Sequence, residues 1–326
     1  MVAAVGFGSG PFFANAAFDT GMTALPILFW RFLAATVVAW CFVLASGTGR
    51  ASVRALRRPR VMALLLLGVL YVGNSGTYVA ALQTVSVSLV AMIVYIYPAL
   101  VAVLSTWFGR RLEGRRAWLA LGLSTTGVLL AVGGVPEGAM PPPLGLALAI
   151  ASPVIYSFWI VFSARTAGER RRSPRTARTT IPPGDAEVPT GRDAAPPAAS
   201  AASALMISAT AAGCGVLLLL TGGSVLPAAV PGSAWPALVA FGTFSAVAIQ
   251  AFYGGVRRIG GARASLLSTV EPVYTIAIAT LLLGEMLTPI QLLGGTLVIV
   301  GVILAETGSD RGRSVRVRSM PVRDTG

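Results

Sequence analysis

Lysine and histidine are absent from this chain of 326 residues, and charged residues of every kind make up only 11% of it. The first absence excludes Ser-His-Asp triads, Schiff-base lysines, phosphate-loop lysines and histidine metal sites together. The second excludes an ordinary soluble domain, which carries about 25% charged residues to face water. Cysteine is scarce as well. Cys41 and Cys214 both fall in apolar runs, so neither a disulfide framework nor a cysteine metal site is implied. What is there is a chain 55% apolar with mean hydropathy +0.77. Its 25 basic residues are all arginine and face 12 Asp plus Glu, for a net charge of +13. This is the composition of a membrane protein, with no cofactor motif and no metal site.

Charge-free windows locate the spans, because a helix crossing a bilayer needs about 20 mostly apolar residues. Between Arg60 and Arg110 lie 49 uncharged residues, between Glu137 and Arg165 another 27, and between Asp193 and Arg257 another 63. Dividing the long windows at Gly, Pro and polar clusters predicts ten spans: 2–18, 24–46, 62–81, 86–108, 116–134, 143–164, 201–221, 237–255, 263–283 and 288–306. The first has no basic segment ahead of its apolar run and reads as a spanning helix rather than a secretory signal.

The arginines test that count independently. Five follow the second span, four the fourth, seven the sixth, three the eighth and five the tenth, which is 24 of the 25, and the odd-numbered connections hold none. The positive-inside rule then predicts that both termini and every even connection are cytoplasmic. Arginines dispersed in this way are topology anchors and not a nucleic-acid patch, so no nucleic-acid partner is expected. Residues 165–200, rich in Arg, Pro, Thr and Ala, read as a disordered cytoplasmic linker. The basic tail, 307–326, has Arg311 to Arg323 beside the last span. Attraction to anionic lipid is expected there, at about 1 kcal/mol per arginine near the surface.

The chain repeats itself. An offset of 174 residues brings Pro98 onto Pro272, Thr106 onto Thr280 and Gly127-Val128-Leu129-Leu130-Ala131 onto Gly301-Val302-Ile303-Leu304-Ala305. An offset near 142 brings Pro11 onto Pro153, and the difference of 32 is close to the size of the 165–200 insertion. Two copies of five helices, 1–134 and 143–306, have an odd helix number and therefore enter the membrane from opposite sides. The expected fold is all-α, with ten transmembrane helices as two inverted five-helix repeats. Many secondary transporters have this architecture, with the substrate near the midplane where the halves meet.

The residues also resemble the drug/metabolite transporter superfamily, in its EamA-type branch of ten-helix permeases. Gly8-Ser9 is similar to an early small-residue motif and Arg31-Phe32-Leu33-Ala34-Ala35 to an arginine-led second helix. Tyr97-Pro98 with Gly109 is similar to the fourth-helix proline. Glu271-Pro272-Val273, Leu283-Gly284-Glu285, Gly294-Gly295 and Gly301-Val302 are the most specific matches. One departure is plain: Arg110-Arg111 stands where the family usually has Gly-Glu after the fourth helix. The resemblance implies transport of small metabolites through a central cavity. Helices one, three, four, six, eight and nine would line it, with five and ten at the periphery.

Glu271 is the only acidic residue well within a predicted span. A carboxylate in hydrocarbon is costly and ordinarily faces the bundle interior on a pathway; a group able to take and release a proton is also what coupling requires. A purely structural role, locking helices together, is the alternative. Arg31 lies about 10 Å into the second span at 1.5 Å per residue. It either snorkels outward or turns inward to pair with Glu271 or an anionic substrate. Pro98 and Pro272 each remove a helical hydrogen bond and are hinge candidates. Asn15, Asn74, Tyr78, Tyr95, Tyr156, Gln250 and Tyr274 are candidate cavity residues. Each also suits an interhelical hydrogen bond of about 0.6–2 kcal/mol. The glycines at 294, 295 and 301 read as close helix packing.

The reading is a secondary transporter, a permease read as an exporter, of small organic metabolites such as amino acids, amines or drugs. Its partners are a small-molecule substrate and the lipid bilayer, with a homodimer left open. No catalytic residue and no enzyme activity is expected, since the spans hold no Ser with His or Lys, no paired Asp and no metal set. A receptor or channel-like protein without carrier activity is the alternative.

Overall fold

Helix is the element that the sequence demands, because backbone polar groups in hydrocarbon have to be satisfied within their own segment. The computed structural model describes residues 2–56, 58–97, 100–101, 104, 115–135, 140–166, 199–259 and 270–314. Among these it is all-helical, with no strand. The elements are α1 (Val2–Gly8), α2 (Gly10–Phe18), α3 (Ala24–Ala45), α4 (Gly47–Arg54), α5 (Arg58–Ala81) and α6 (Val87–Val94). They continue with α7 (Arg115–Gly133), α8 (Pro143–Thr166), α9 (Ala199–Leu220), α10 (Trp235–Ile259), α11 (Val270–Leu282) and α12 (Pro289–Ser314). Five stretches are long and apolar enough to cross a membrane: Ala24–Ala45, Arg58–Ala81, Pro143–Phe162, Ser200–Leu220 and Gly232–Ala251. Gly122–Ala131 and Pro289–Gly301 are shorter apolar helices.

The described helices depart from the expected spans at four places, one of them within 86–108, where α6 ends at Val94 and Tyr95 and Ile96 form a turn. The window 2–18 is not one helix but two, divided at Ser9. Pro11 explains the break, since it has no N–H to give the Phe7 carbonyl and its ring crowds that turn. Ser9 softens it, donating its hydroxyl to the Val5 carbonyl at 2.8 Å. Pro153, by contrast, stands inside α8 without ending it. α12 runs on to Ser314, into the region expected to be tail. α4 is an extra short helix in the first arginine-bearing connection, started by Ser46, whose hydroxyl accepts the Gly49 N–H at 3.0 Å. Most of 98–114, all of 260–269, the 167–198 segment of the expected linker and the tail from 315 lie outside the described residues.

Each long helix shows two faces. On α5, Leu64, Leu67, Val72 and Val79 are buried, while Met62, Leu66 and Val69 are exposed, as expected of a helix with one face to lipid. Polar side chains stitch the inner faces together. Trp40 donates to the Ser208 hydroxyl at 2.9 Å, joining α3 to α9. Trp159 donates to the Leu67 carbonyl at 3.1 Å, joining α8 to α5, and Thr210 to the Gly68 carbonyl at 2.9 Å, joining α9 to α5. The principal pairings are α7 with α12, α3 with α9 and with α10, α5 with α8 and with α9, and α1 with α10 and α11. α6 packs on α8 and on α11.

The α7–α12 pair rests on two glycines. A β-carbon on Gly127 would stand 2.5 Å from the Gly294 carbonyl oxygen, and one on Gly294 would stand 2.5 Å from that of Gly127. Backbones therefore touch directly, which is how membrane helices associate without a hydrophobic drive. α12 is started by a reciprocal cap, Gln291 Oε1 accepting the Thr288 N–H at 3.0 Å and Thr288 Oγ1 the Gln291 N–H at 3.3 Å. Replacing Gly127 by Leu is expected to cost about 1–3 kcal/mol by overpacking. A lowered melting temperature in detergent checks this, with Thr125→Leu, at an exposed position of the same helix, leaving it unchanged.

Candidate functional site

A cavity of about 200 Å³ lies between the helices, lined from α1, α2, α3, α5, α6, α8, α9, α10 and α11. α7 and α12 contribute no described lining residue, as the resemblance implied. It implied no role in the lining for the second and seventh spans, and there the structure differs: α3 contributes Arg31, and α9 contributes Ser203 and Thr210.

Six of the nine predicted site residues line the cavity: Arg31, Asn74, Tyr78, Tyr95, Tyr156 and Glu271. The other three do not. Tyr274 packs behind the wall, its hydroxyl 3.0 Å from Ser9 Oγ. Gln250 supports a lining residue, donating to the Ser203 hydroxyl at 3.0 Å. Asn15 sits at the end of α2, where its carbonyl accepts the Asp19 N–H at 2.9 Å. Sequence spacing assigns a residue to a helix but not to one side of it, and these three are rotated away. Of the hinge candidates, Pro272 lies on α11 two positions after the first described residue of that stretch, Val270, and the turn that its missing N–H would face lies outside the described residues. Pro98 lies outside the described residues.

Glu271 accepts a hydrogen bond from the Tyr95 hydroxyl, which ties α11 to the chain just after α6. Arg31 does not snorkel: it is 7% exposed and lines the cavity. Its guanidinium carbon lies 4.0 Å from the centre of the Phe241 ring and 4.4 Å from that of Phe32. Gly242 makes this approach feasible. A β-carbon there would meet the Arg31 carbonyl oxygen at 2.5 Å, so glycine lets α10 settle on α3 and carry Phe241 over the arginine. The alternative of an Arg31–Glu271 ion pair is not what the structure contains, because Arg31 makes no ion pair among the described residues. Asn74 is held by Ser152, which donates to its Oδ1 at 3.0 Å.

One wall of the cavity is a cluster of rings that spacing alone identified only in part. Tyr156 stacks on Trp159 at 5.6 Å and meets Tyr97 edge-on at 4.9 Å, and Trp159 lies 5.2 Å from Tyr71. Tyr71, Ser75 and Trp159 were not singled out from the sequence, and Tyr97 only as the neighbour of Pro98, yet the signal existed. Tyr71, Asn74, Ser75 and Tyr78 recur at helical intervals on α5, as do Ser152, Tyr156 and Trp159 on α8.

Two sequence motifs acquire structural roles. Gly8 lets α1 press on α11, where a β-carbon would collide with the Tyr274 ring at 2.7 Å. Gly284, at φ +67°, ends α11 in the left-handed region that glycine adopts freely. The turn delivers Glu285 to the start of α6, where its two carboxylate oxygens accept the N–H groups of Val87 at 2.7 Å and Ser88 at 2.8 Å.

Apolar helices with lipid-suited outer faces, wrapped around a polar and aromatic cavity, define a multi-pass membrane protein of the transporter class. The chain belongs to the EamA-like transporter family, which matches residues 1–133 and 193–307, and so to the drug/metabolite transporter superfamily. It is 28% identical over 295 residues to a protein of Archaeoglobus fulgidus named "Uncharacterized transporter", covering 90% of this chain and 89% of that one. It is 28% identical over 282 residues to the "Uncharacterized inner membrane transporter YedA" of Escherichia coli K12, covering 85% of this chain and 80% of that one. A solved crystal structure superposes with a TM-score of 0.60 at 20% identity, covering 96% of this chain and 99% of that chain, a likeness of fold alone.

Proposed function

We propose that this membrane transporter is a secondary carrier of small organic solutes such as amino acids, amines or drugs. It exports them across a prokaryotic cytoplasmic membrane by alternating access of two inverted repeats, residues 1–134 and 143–306. The carrying observation is a cavity lined from both halves of the chain, whose described wall includes the Glu271 carboxylate and the Arg31 guanidinium. YedA is named as an inner membrane protein, which supports the cell-membrane location. The arginine distribution supports cytoplasmic termini, and loops so charged favour anionic lipid at that face.

The helix pairings support the repeats. Exchanging each window with its counterpart five windows on turns α1–α10 into α8–α5, α3–α10 into α9–α5, and α1–α11 into α8–α6. It leaves α3–α9, α6–α11 and α7–α12 as they are, and all nine pairings occur. A two-fold relation between copies generates this pattern. The Glu285 contact with α6 supplies a gate element, because it fastens the end of α11 in one repeat to the start of α6 in the other. In the 174-residue register its counterpart is Arg111, whose charge is unsuited to a helix N-terminus. The sequence thus offers no carboxylate at the matching position of the other repeat, and a difference between the two faces is what a directional bias between export and uptake needs.

A transporter-poor bacterial host, with empty vector or with the protein, is grown on toxic amino acid analogues, amines and nucleoside analogues. Export predicts that at least one compound is tolerated better with the protein present. Greater sensitivity across the responding compounds would reverse the assigned direction, and identical growth on the entire panel would count against this substrate range.

A further inference from the structure

We propose that Arg31 is an anion-docking point, where the carboxylate of a singly charged organic acid binds the guanidinium edge that the protein leaves unpaired. This rests on the carrier reading and adds to it the chemistry of the substrate. A guanidinium stays charged at every physiological pH, and burying a charge without a partner is strongly unfavourable. Arg31 is nonetheless buried. Phe241 and Phe32 cover its central carbon, and ring contacts of this kind offset part of the cost. They do not satisfy its N–H donors. Nε is buried with no hydrogen-bond partner among the described residues, and no ion pair of the guanidinium is found there. The carboxylate that shares the cavity, Glu271, is instead engaged by the Tyr95 hydroxyl.

An unpaired donor fork opening into a cavity is the geometry that carboxylates fill with two parallel hydrogen bonds. Arg31 is the sole basic residue among the described lining. A single guanidinium matches one carboxylate group and not a phosphate or nucleotide, which carry more negative charge than it neutralises. The rings of Tyr71, Tyr97, Tyr156 and Trp159 then take the apolar or planar body of the acid.

The test is thermal unfolding of the purified full chain in detergent with 3-phenylpropionate. 3-Phenylpropan-1-ol, which has the same body without the carboxylate, is the control. For the wild type the acid is expected to raise the melting temperature and the alcohol to leave it unchanged. Arg31→Met keeps an unbranched apolar stem and removes the charged guanidinium. It is expected to weaken the acid response by about tenfold or more in apparent affinity, the factor for one good charge-assisted contact. Its own ligand-free melting temperature is expected to equal or exceed that of the wild type, because an unpaired buried charge has gone. A structural arginine would give the opposite shift.

Should Arg31→Met fail to fold, that failure counts as evidence for a structural role and overturns the docking site unless Arg31→Lys folds and binds the acid more weakly than wild type. Equal responses to acid and alcohol, no response to the acid, or an undiminished response in Arg31→Met each overturn it. Flux of a compound that has no carboxylate, together with no response to the acid, removes the docking site and leaves the carrier intact. Saturable binding of the acid with no flux of any compound sinks the carrier reading and leaves the docking site standing.

Discussion

Glu271→Gln is expected to reduce flux roughly tenfold or more, a barrier change of about 1.4 kcal/mol or more, without loss of the folded protein from the membrane. Glutamine has the same shape and its side-chain oxygen still accepts the Tyr95 hydroxyl, so helix α11 keeps its link to the chain after α6. What disappears is any ability to take and release a proton in the cavity wall. Wild-type and variant cells matched for protein level, grown on the compound that best separates wild type from vector, give the result. Loss of protection with equal protein level assigns the carboxylate to the transport step. Full protection by Glu271→Gln makes the residue a fastening between helices, and coupling through it is then excluded. Tyr95→Phe keeps the carboxylate and removes one hydrogen bond, so its effect is expected to be the smaller of the two.

The second large effect belongs to Glu285. Two backbone N–H groups at the start of α6 are satisfied by its carboxylate at 2.7 and 2.8 Å, each a charge-assisted bond at the positive end of a helix. Glutamine offers one neutral oxygen in their place. A loss of about 2 kcal/mol follows, which shifts a closed–open equilibrium about thirtyfold. Ser88 reports on this, since its side chain is fully buried beside the latch. With Cys41 and Cys214 replaced, a Ser88→Cys reporter is expected to react slowly with a membrane-impermeant maleimide. It is expected to react many times faster when Glu285→Gln is added. Unchanged labelling would mean that Glu285 caps α6 and gates nothing.

Much of the helical framework was legible because charge is so expensive in hydrocarbon. Arg58 and Ala81 bound α5 almost where the uncharged window after Arg60 begins and its Gly-rich segment ends. Pro11 was visible too, yet hydropathy averages across a proline, and the break at Ser9 was hidden inside an apolar run. Burial of Arg31 was left undecided by sequence for a physical reason. Snorkelling and inward pointing place the same residue at the same depth, and only the position of Gly242 and Phe241 on α10 separates them. Glu285 lies just after the ninth predicted span, where a charge is ordinarily solvated. Its partners Val87 and Ser88 are 198 and 197 positions away, so no local pattern connects them. Tyr274 and Gln250 missed the cavity by rotation about their own helices, while Tyr71 and Trp159 reached it on stripes whose period was present in the sequence.

The central claim is that solute passes through this cavity on a carrier that exposes it to one side at a time. Counterflow tests it most directly. Inside-out membrane vesicles holding the protein are loaded with unlabelled compound from the growth panel and diluted into the same compound carrying a label. A carrier gives label uptake that saturates with concentration and is accelerated by the unlabelled compound on the opposite side, above vesicles from the empty-vector strain. Flux that rises linearly with concentration and ignores the opposite side would identify a channel, and binding with no flux would identify a receptor; either result contradicts alternating access.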